Sequence, residues 1–174
     1  MVANIEQVAQ DELITHRTRD LSNTDFADPE LLLSDKHFDY LKKCSASRSM
    51  QDCWKTSPNL SNVKIIYKTI VREKTSFNNS SPSVFLKNGV LLSYKLDSND
   101  GKTIGVFRID VNGNSKPNVW GRDAFVFYIT PGGKVTDIAT INNSAVSAGN
   151  CRSGNGTPAK CFSLLISNNW KMDY

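Results

Sequence analysis

The sequence predicts an α+β domain: a truncated N-terminal amphipathic helix packed on an antiparallel β-sheet, with loops stapled by disulfides. Three observations carry this. A helical stripe of apolar residues opens the chain, apolar runs separated by turn signals occupy residues 84 to 138, and four cysteines fall into two local pairs. Helices first and strands afterwards argue for a helix laid over one face of an antiparallel sheet. At 174 residues and 19.3 kDa the chain is of single-domain size, 1–174, and can bury a continuous core without metals.

Taken in order, Ile5, Val8, Ala9, Leu13 and His16 recur at spacings of three and four, one face of an amphipathic helix. No capping residue precedes it, so it reads as the end of a longer helix. Asp28-Pro29-Glu30 supplies a cap, a proline at the first helical position and an early acid, which predicts a helical turn through Leu31-Leu32-Leu33. Ser34-Asp35 can cap a third short helix in which Phe38, Tyr40 and Leu41 face inward before Cys44. Residues 62–74 stay ambiguous, since Lys64, Lys68 and Arg72 recur every four residues while Ile65, Ile66, Tyr67, Ile70 and Val71 favour strand. The polar tract 76–83 is a loop. Val84-Phe85-Leu86 and Val90 to Tyr94 then flank Lys87-Asn88-Gly89, a strong hairpin signal. Gly105 to Asp110, Ala124 to Thr130 and, after the turn Pro131-Gly132-Gly133, Lys134 to Ile138 complete a β-meander.

Composition excludes several classes. Hydrophobic residues make up 39% and charged residues 22%, which fits a globular protein and not a disordered or collagen-like one. No apolar run approaches the roughly 18–20 residues of a membrane-spanning helix, and Met1 to Gln7 lacks the basic start and apolar stretch of a secretory signal. The net charge of +4 divides unevenly: residues 1–60 carry 7 Lys/Arg against 10 Asp/Glu, and residues 61–174 carry 14 against 7. The basic residues of the second half are scattered singly, without an aromatic-interleaved cluster, so nucleic acid is not expected as a partner.

Cys44 and Cys53 form one local pair and Cys151 and Cys161 the other. Four cysteines allow three connectivities, but each local pair brackets small polar residues, Ser45 to Ser49 and Arg152 to Pro158, that have no core of their own. Closing such loops stabilises by about 2–3 kcal/mol in the chain-entropy model, and it implies an oxidising compartment. The spacing fits zinc poorly, because Cys-x-x-Cys pairs are lacking and His16 and His37 lie far from the second pair.

Between two of the strands lies Asp110-Val111-Asn112-Gly113-Asn114-Ser115-Lys116-Pro117-Asn118-Val119-Trp120-Gly121-Arg122-Asp123, dense in Asx, Gly and Pro. Such a loop satisfies its backbone by Asx turns or by a ligand. Asp110, Asn112, Asn114 and Asp123 are the candidate oxygen ligands for calcium, although Gly113 comes too early for an EF-hand and the closing Glu is missing. Apart from that calcium, no cofactor is implied.

This loop resembles a segment of bacterial type IV pilin-like and pseudopilin-like proteins, Asp-x-Asn-Gly-x-x-x-Pro-Asn-x-x-Gly-x-Asp followed by an apolar strand, matched from Asp110 through Ile129. The resemblance extends to the end of the chain, with a local cysteine pair, an apolar strand and Trp170-Lys171-Met172-Asp173-Tyr174, and to the element Cys44 to Trp54. It implies a soluble pilin-like head, a minor pilin or pseudopilin of a type IV pilus or type II secretion-like filament. Partners would be other such subunits, joined through an apolar N-terminal helix, and the inner membrane in the full-length form. The place would be the bacterial periplasm or cell surface. This sequence departs from the family in lacking the prepilin signal and apolar half-helix.

Two other readings compete. For an enzyme, Asp35, His37 and Asp39 can be written as an acid/base grouping, but such a cluster on a short charged helix reads as a solvated face, and no Gly-x-Ser-x-Gly, P-loop or His-Glu-x-x-His motif occurs, so no enzyme is expected. Trp54, Trp120 and Trp170 read as buried anchors ahead of a sugar-binding platform. A stand-alone secreted adhesion or ligand-binding module would share the disulfides and the sheet.

Overall fold

The computed structural model describes residues 1–54, 65–67, 70–72, 81–115, 121, 123–145 and 161–172. Helix α1 spans Val2–Thr15 and is followed by two 3-10 turns, Leu21–Asn23 and Asp25–Ala27. Short helix α2 (Pro29–Leu32), strand β1 (Tyr40–Cys44) and helix α3 (Ser49–Asp52) come next. Strands β2 (Ile65–Tyr67) and β3 (Ile70–Arg72) form a separate antiparallel pair. Strands β4 (Ser83–Leu86), β5 (Leu91–Leu96), β6 (Gly105–Asp110), β7 (Ala124–Ile129) and β8 (Val135–Thr136) then run as a meander. Helices α4 (Ile138–Ile141) and α5 (Cys161–Ser167) end the described chain.

The main sheet has the order β1-β4-β5-β6-β7-β8 with every pair antiparallel, so the α+β reading holds in its coarse form. Its hairpin signal holds too: Leu86 N–H donates to the Val90 carbonyl at 2.8 Å, and Gly89 takes a left-handed φ of 88° that a side chain would resist. Alternation along the strands sends Leu92 and Tyr94, Phe107 and Ile109, and Phe125, Phe127 and Ile129 into one core. Ile5, Ala9 and Leu13 of α1 bury against the same core, as do Leu21, Phe26, Leu32 and Leu33 from the segment after it. The three-and-four spacing of the α1 stripe therefore places the helix over the sheet, whereas His16 falls just past its end as an exposed C-cap.

A row of aromatic rings crosses the sheet. Tyr94, Phe107 and Phe127 are direct cross-strand partners, with centroids 4.7 and 5.4 Å apart along the row. Phe26 meets Tyr94 edge-on at 6.0 Å at one end, and Phe162 of α5 stacks on Phe127 at 4.7 Å at the other. The Tyr94 hydroxyl donates to the Phe26 carbonyl at 2.9 Å, which satisfies it where it is buried and ties the loop after α1 to β5. Gly105 lets that ring lie flat, since a Cβ at this position would fall inside it.

Three expectations need correction. The third short helix expected before Cys44 is instead a single turn, in which the Ser34 carbonyl accepts from His37 and Phe38, followed by edge strand β1. Pairing β1 with β4 satisfies backbone groups that a short helix would leave open on the sheet edge, and it leaves Leu41 exposed while Phe38 stays buried. The last strand stops at Thr136, because Asp137 accepts from the Thr140 N–H at 2.8 Å and caps α4. The apolar strand expected after the last cysteine is helix α5: Cys161, Phe162 and Leu165 are buried, the i, i+1, i+4 spacing of one helical face. The ambiguous stretch resolves to strands over 65–67 and 70–72, with its remaining residues, like 76–80, outside the described ones.

Candidate functional site

The calcium-type loop leaves the end of β6. Asp110 is fully buried there and its Oδ1 accepts the Asn112 N–H at 3.3 Å, an Asx turn. Asn112 Nδ2 donates to Asp123 Oδ2 at 3.2 Å, and the Val111 N–H donates to the Asp123 carbonyl at 2.8 Å, so both ends of the loop are stitched together. Gly113 adopts a φ of 58° and packs against the Gly89 carbonyl, which brings the loop under the β4–β5 hairpin. The structure thus joins Asp110, Asn112 and Asp123, with Asn114 half-buried on the same turn, while residues 116–120 and Arg122 lie outside the described ones. Calcium takes about six to eight oxygens. Asp110 Oδ1 and Asp123 Oδ2 are here engaged within the loop itself.

The cysteines shape the β1 edge of the sheet. Cys44, at the end of β1, is bonded to Cys53, just past α3, with Cα atoms 6.2 Å apart. Both pack with Trp54 and Leu91 in a second small core, and Trp54 Nε1 donates to Ser83 Oγ at 2.9 Å. Trp54 is therefore an anchor and not part of a sugar platform; Trp170 is half exposed with its edge toward Phe162, and Trp120 lies outside the described residues. Cys161 is also disulfide-bonded, and Cys151, its expected partner, is outside the described residues.

A third grouping was not legible beforehand. Glu12 follows Ile5 and Ala9 on the buried stripe of α1 and is only 2% exposed, a carboxylate at a core position. Its Oε2 accepts the Asp25 N–H at 3.0 Å and lies 3.3 Å from His16 Nε2. Lys36 Nζ donates to Glu12 Oε1 and to Asp25 Oδ2, each at 2.7 Å, and His37 Nε2 lies 2.9 Å from Asp25 Oδ2. Sequence spacing suggested Asp35 and Asp39 as partners of His37. They are not: Asp25 is, and Asp39 pairs with Lys87 at 2.6 Å. The turn after Ser34 aims His37 inward at a carboxylate twelve residues back, a contact no local pattern announces.

Opposing effects set the charges of this cluster. Burial pushes the Glu12 carboxyl up, but bonds from Lys36 and from the Asp25 N–H outweigh it and hold Glu12 below its usual range. Asp25 is lowered chiefly by the Lys36 hydrogen bond, and Lys36 is raised by Asp25 and Glu12. The carboxylates therefore give stability that is present above about pH 4.5 and lost as pH falls through their folded values. The lysine gives stability that is present below about pH 10 and lost as pH rises through its folded value. Lys36→Met is expected to lower the unfolding free energy at pH 7 by about 1–2 kcal/mol, below the cost of breaking a fully buried pair because Lys36 is half exposed. Urea titrations between pH 2 and 7 should also show a shallower loss toward acid in the variant. An unchanged slope removes this cluster as a cause of acid sensitivity.

A groove of about 440 Å³ opens between the segment after α1 and the β5–β6 turn, lined by Asp20, Phe26, Leu96, Asp97, Thr103 and Pro131 among others. Among the described residues no helix is long and apolar enough to cross a membrane. No protein-family model matches the chain, and no curated protein or solved structure is significantly similar to it.

Proposed function

We propose that this chain is the globular head of a type IV pilin-like or pseudopilin-like filament subunit, carried in an oxidising envelope compartment. The observation that supports this reading most is the order and placement of elements. One leading helix presses its Ile5, Ala9 and Leu13 stripe onto an antiparallel meander, and a disulfide-bearing C-terminal segment returns over the same core. A single leading helix docked in this way suits a subunit whose head is held at the outside of a filament by a helical stem. The loop from Asp110 to Asp123, tucked under the β4–β5 hairpin, adds the sequence resemblance. In this reading the chain's work is mechanical, and the two carboxylates beside His37 fix α1 to the segment that follows it.

A secreted ligand-binding module is the second reading, favoured by the groove between Asp20 and Asp97, whose acidic and apolar lining suits a cationic, partly apolar ligand. Translating the gene's upstream frame separates the two. A basic leader and some twenty apolar residues, in helical phase with α1, are expected for the filament subunit. A stop codon or an ordinary cleavable signal there favours the binding module.

A further inference from the structure

We propose that Glu12, Asp25 and His37 form a zinc-type divalent metal site, with the Lys36 ammonium standing at the position the metal takes. The chain has only two histidines, and both reach the same buried carboxylate: His37 Nε2 lies 3.7 Å from Glu12 Oε1 and His16 Nε2 lies 3.3 Å from Glu12 Oε2. One ligand atom each from Glu12, Asp25 and His37 fall within 4.8 Å of one another. Tetrahedral zinc with bonds of about 2.0–2.1 Å sets neighbouring ligand atoms about 3.3–3.4 Å apart. The His37 distances of 2.9 Å to Asp25 and 3.7 Å to Glu12 bracket that edge, so small side-chain rotations close the site.

Charge argues the same way. Two carboxylates converge on the one lysine at a helix face whose Glu12 is almost wholly buried, and a divalent ion in its place matches the charge of both. Lys36 marks where a cation is wanted, 2.7 Å from an oxygen of each carboxylate, and its half-exposed side chain can swing into water to make room. With the metal at the ammonium's position, a water on the solvent side from which Lys36 approaches completes four-coordination. An imidazole beside two carboxylates suits zinc better than calcium or magnesium, which prefer all-oxygen shells. The cysteine spacing that argued against zinc does not bear on this site, which contains no cysteine. Its work is structural: the metal pins α1 to the 3-10 turn at Asp25 and to the turn after α2, three segments otherwise joined only by side chains and loops. This inference does not depend on the filament reading.

Calorimetric titration of ZnCl2 into the chelator-treated full chain tests it. One zinc per chain is expected, bound at least about tenfold more weakly by His37→Gln, a ligand loss at the low end of the 10–100-fold that even supporting groups command. Lys36→Ala removes the competing ammonium and is expected to bind zinc more tightly than wild type. This gain keeps the test decisive if His37→Gln fails to fold, which circular dichroism will show. Affinity unchanged in a folded His37→Gln, or no gain in Lys36→Ala, overturns the proposal.

Discussion

Phe107→Ala is expected to lower the unfolding free energy by about 3–5 kcal/mol, the range for deleting a fully buried aromatic side chain. The ring is wholly buried on a central strand and sits in the middle of the aromatic row, facing Tyr94 on β5 and Phe127 on β7 and meeting Phe26 edge-on at 6.5 Å. Its loss removes apolar burial and leaves a cavity that three neighbouring rings line. Those neighbours cannot readily collapse into it. Tyr94 is held by its hydrogen bond to the Phe26 carbonyl, and Phe127 is held by Phe162 from α5. The value should therefore fall toward the upper end, read as a shift in urea midpoint at constant m. Leu41→Ser supplies the contrast: that side chain is 64% exposed on edge strand β1, and its replacement should change stability by no more than about 0.5 kcal/mol. Similar losses at the two positions would mean that the aromatic row does not organise the core.

The same row explains what the sequence could and could not reveal. The register that lines up Tyr94, Phe107 and Phe127 was not announced, whereas the apolar runs from Val84 to Thr130 and the Asn88-Gly89 turn announced strands and the first hairpin, because both signals lie in residues close along the chain. The α1 stripe was readable for the same reason. Failures came where distant backbone decided the outcome. Tyr40 to Cys44 carries no strong strand signal of its own and becomes a strand because the edge of β4 offers unpaired backbone groups. Cys161 to Ser167 is a short apolar run, which periodicity alone cannot divide between strand and helix, and packing of Phe162 on Phe127 decides it. The Asx loop was legible in its turn chemistry. The cluster at Glu12 was not, since Glu12, Asp25 and Lys36 each pass for surface charges until the chain folds and one helical position proves to be inside.

Removing the Cys44–Cys53 bond is the second large effect expected. The bridge spans nine positions of sequence, and closing a loop of about ten residues restricts the unfolded chain by about 2–3 kcal/mol in the chain-entropy model. For a protein of this size that corresponds to a fall in melting temperature of about 5–10 °C. Cys44→Ala with Cys53→Ala is the suitable variant, because both sulfurs are buried beside Trp54 and Leu91, where serine hydroxyls would add a desolvation cost of their own. Reductant alone is a poorer test, since it also opens the bond at Cys161. The loss should act chiefly through the unfolded state, so the variant's m-value should rise as its unfolded chain expands, while Trp54 fluorescence in the folded state stays near that of wild type. A fall in stability with an unchanged m-value and an altered Trp54 signal would instead place the effect in the folded state, in the small core that fixes β1 to β4. The first outcome makes the bridge a staple acting through the unfolded chain, for a loop with little core of its own.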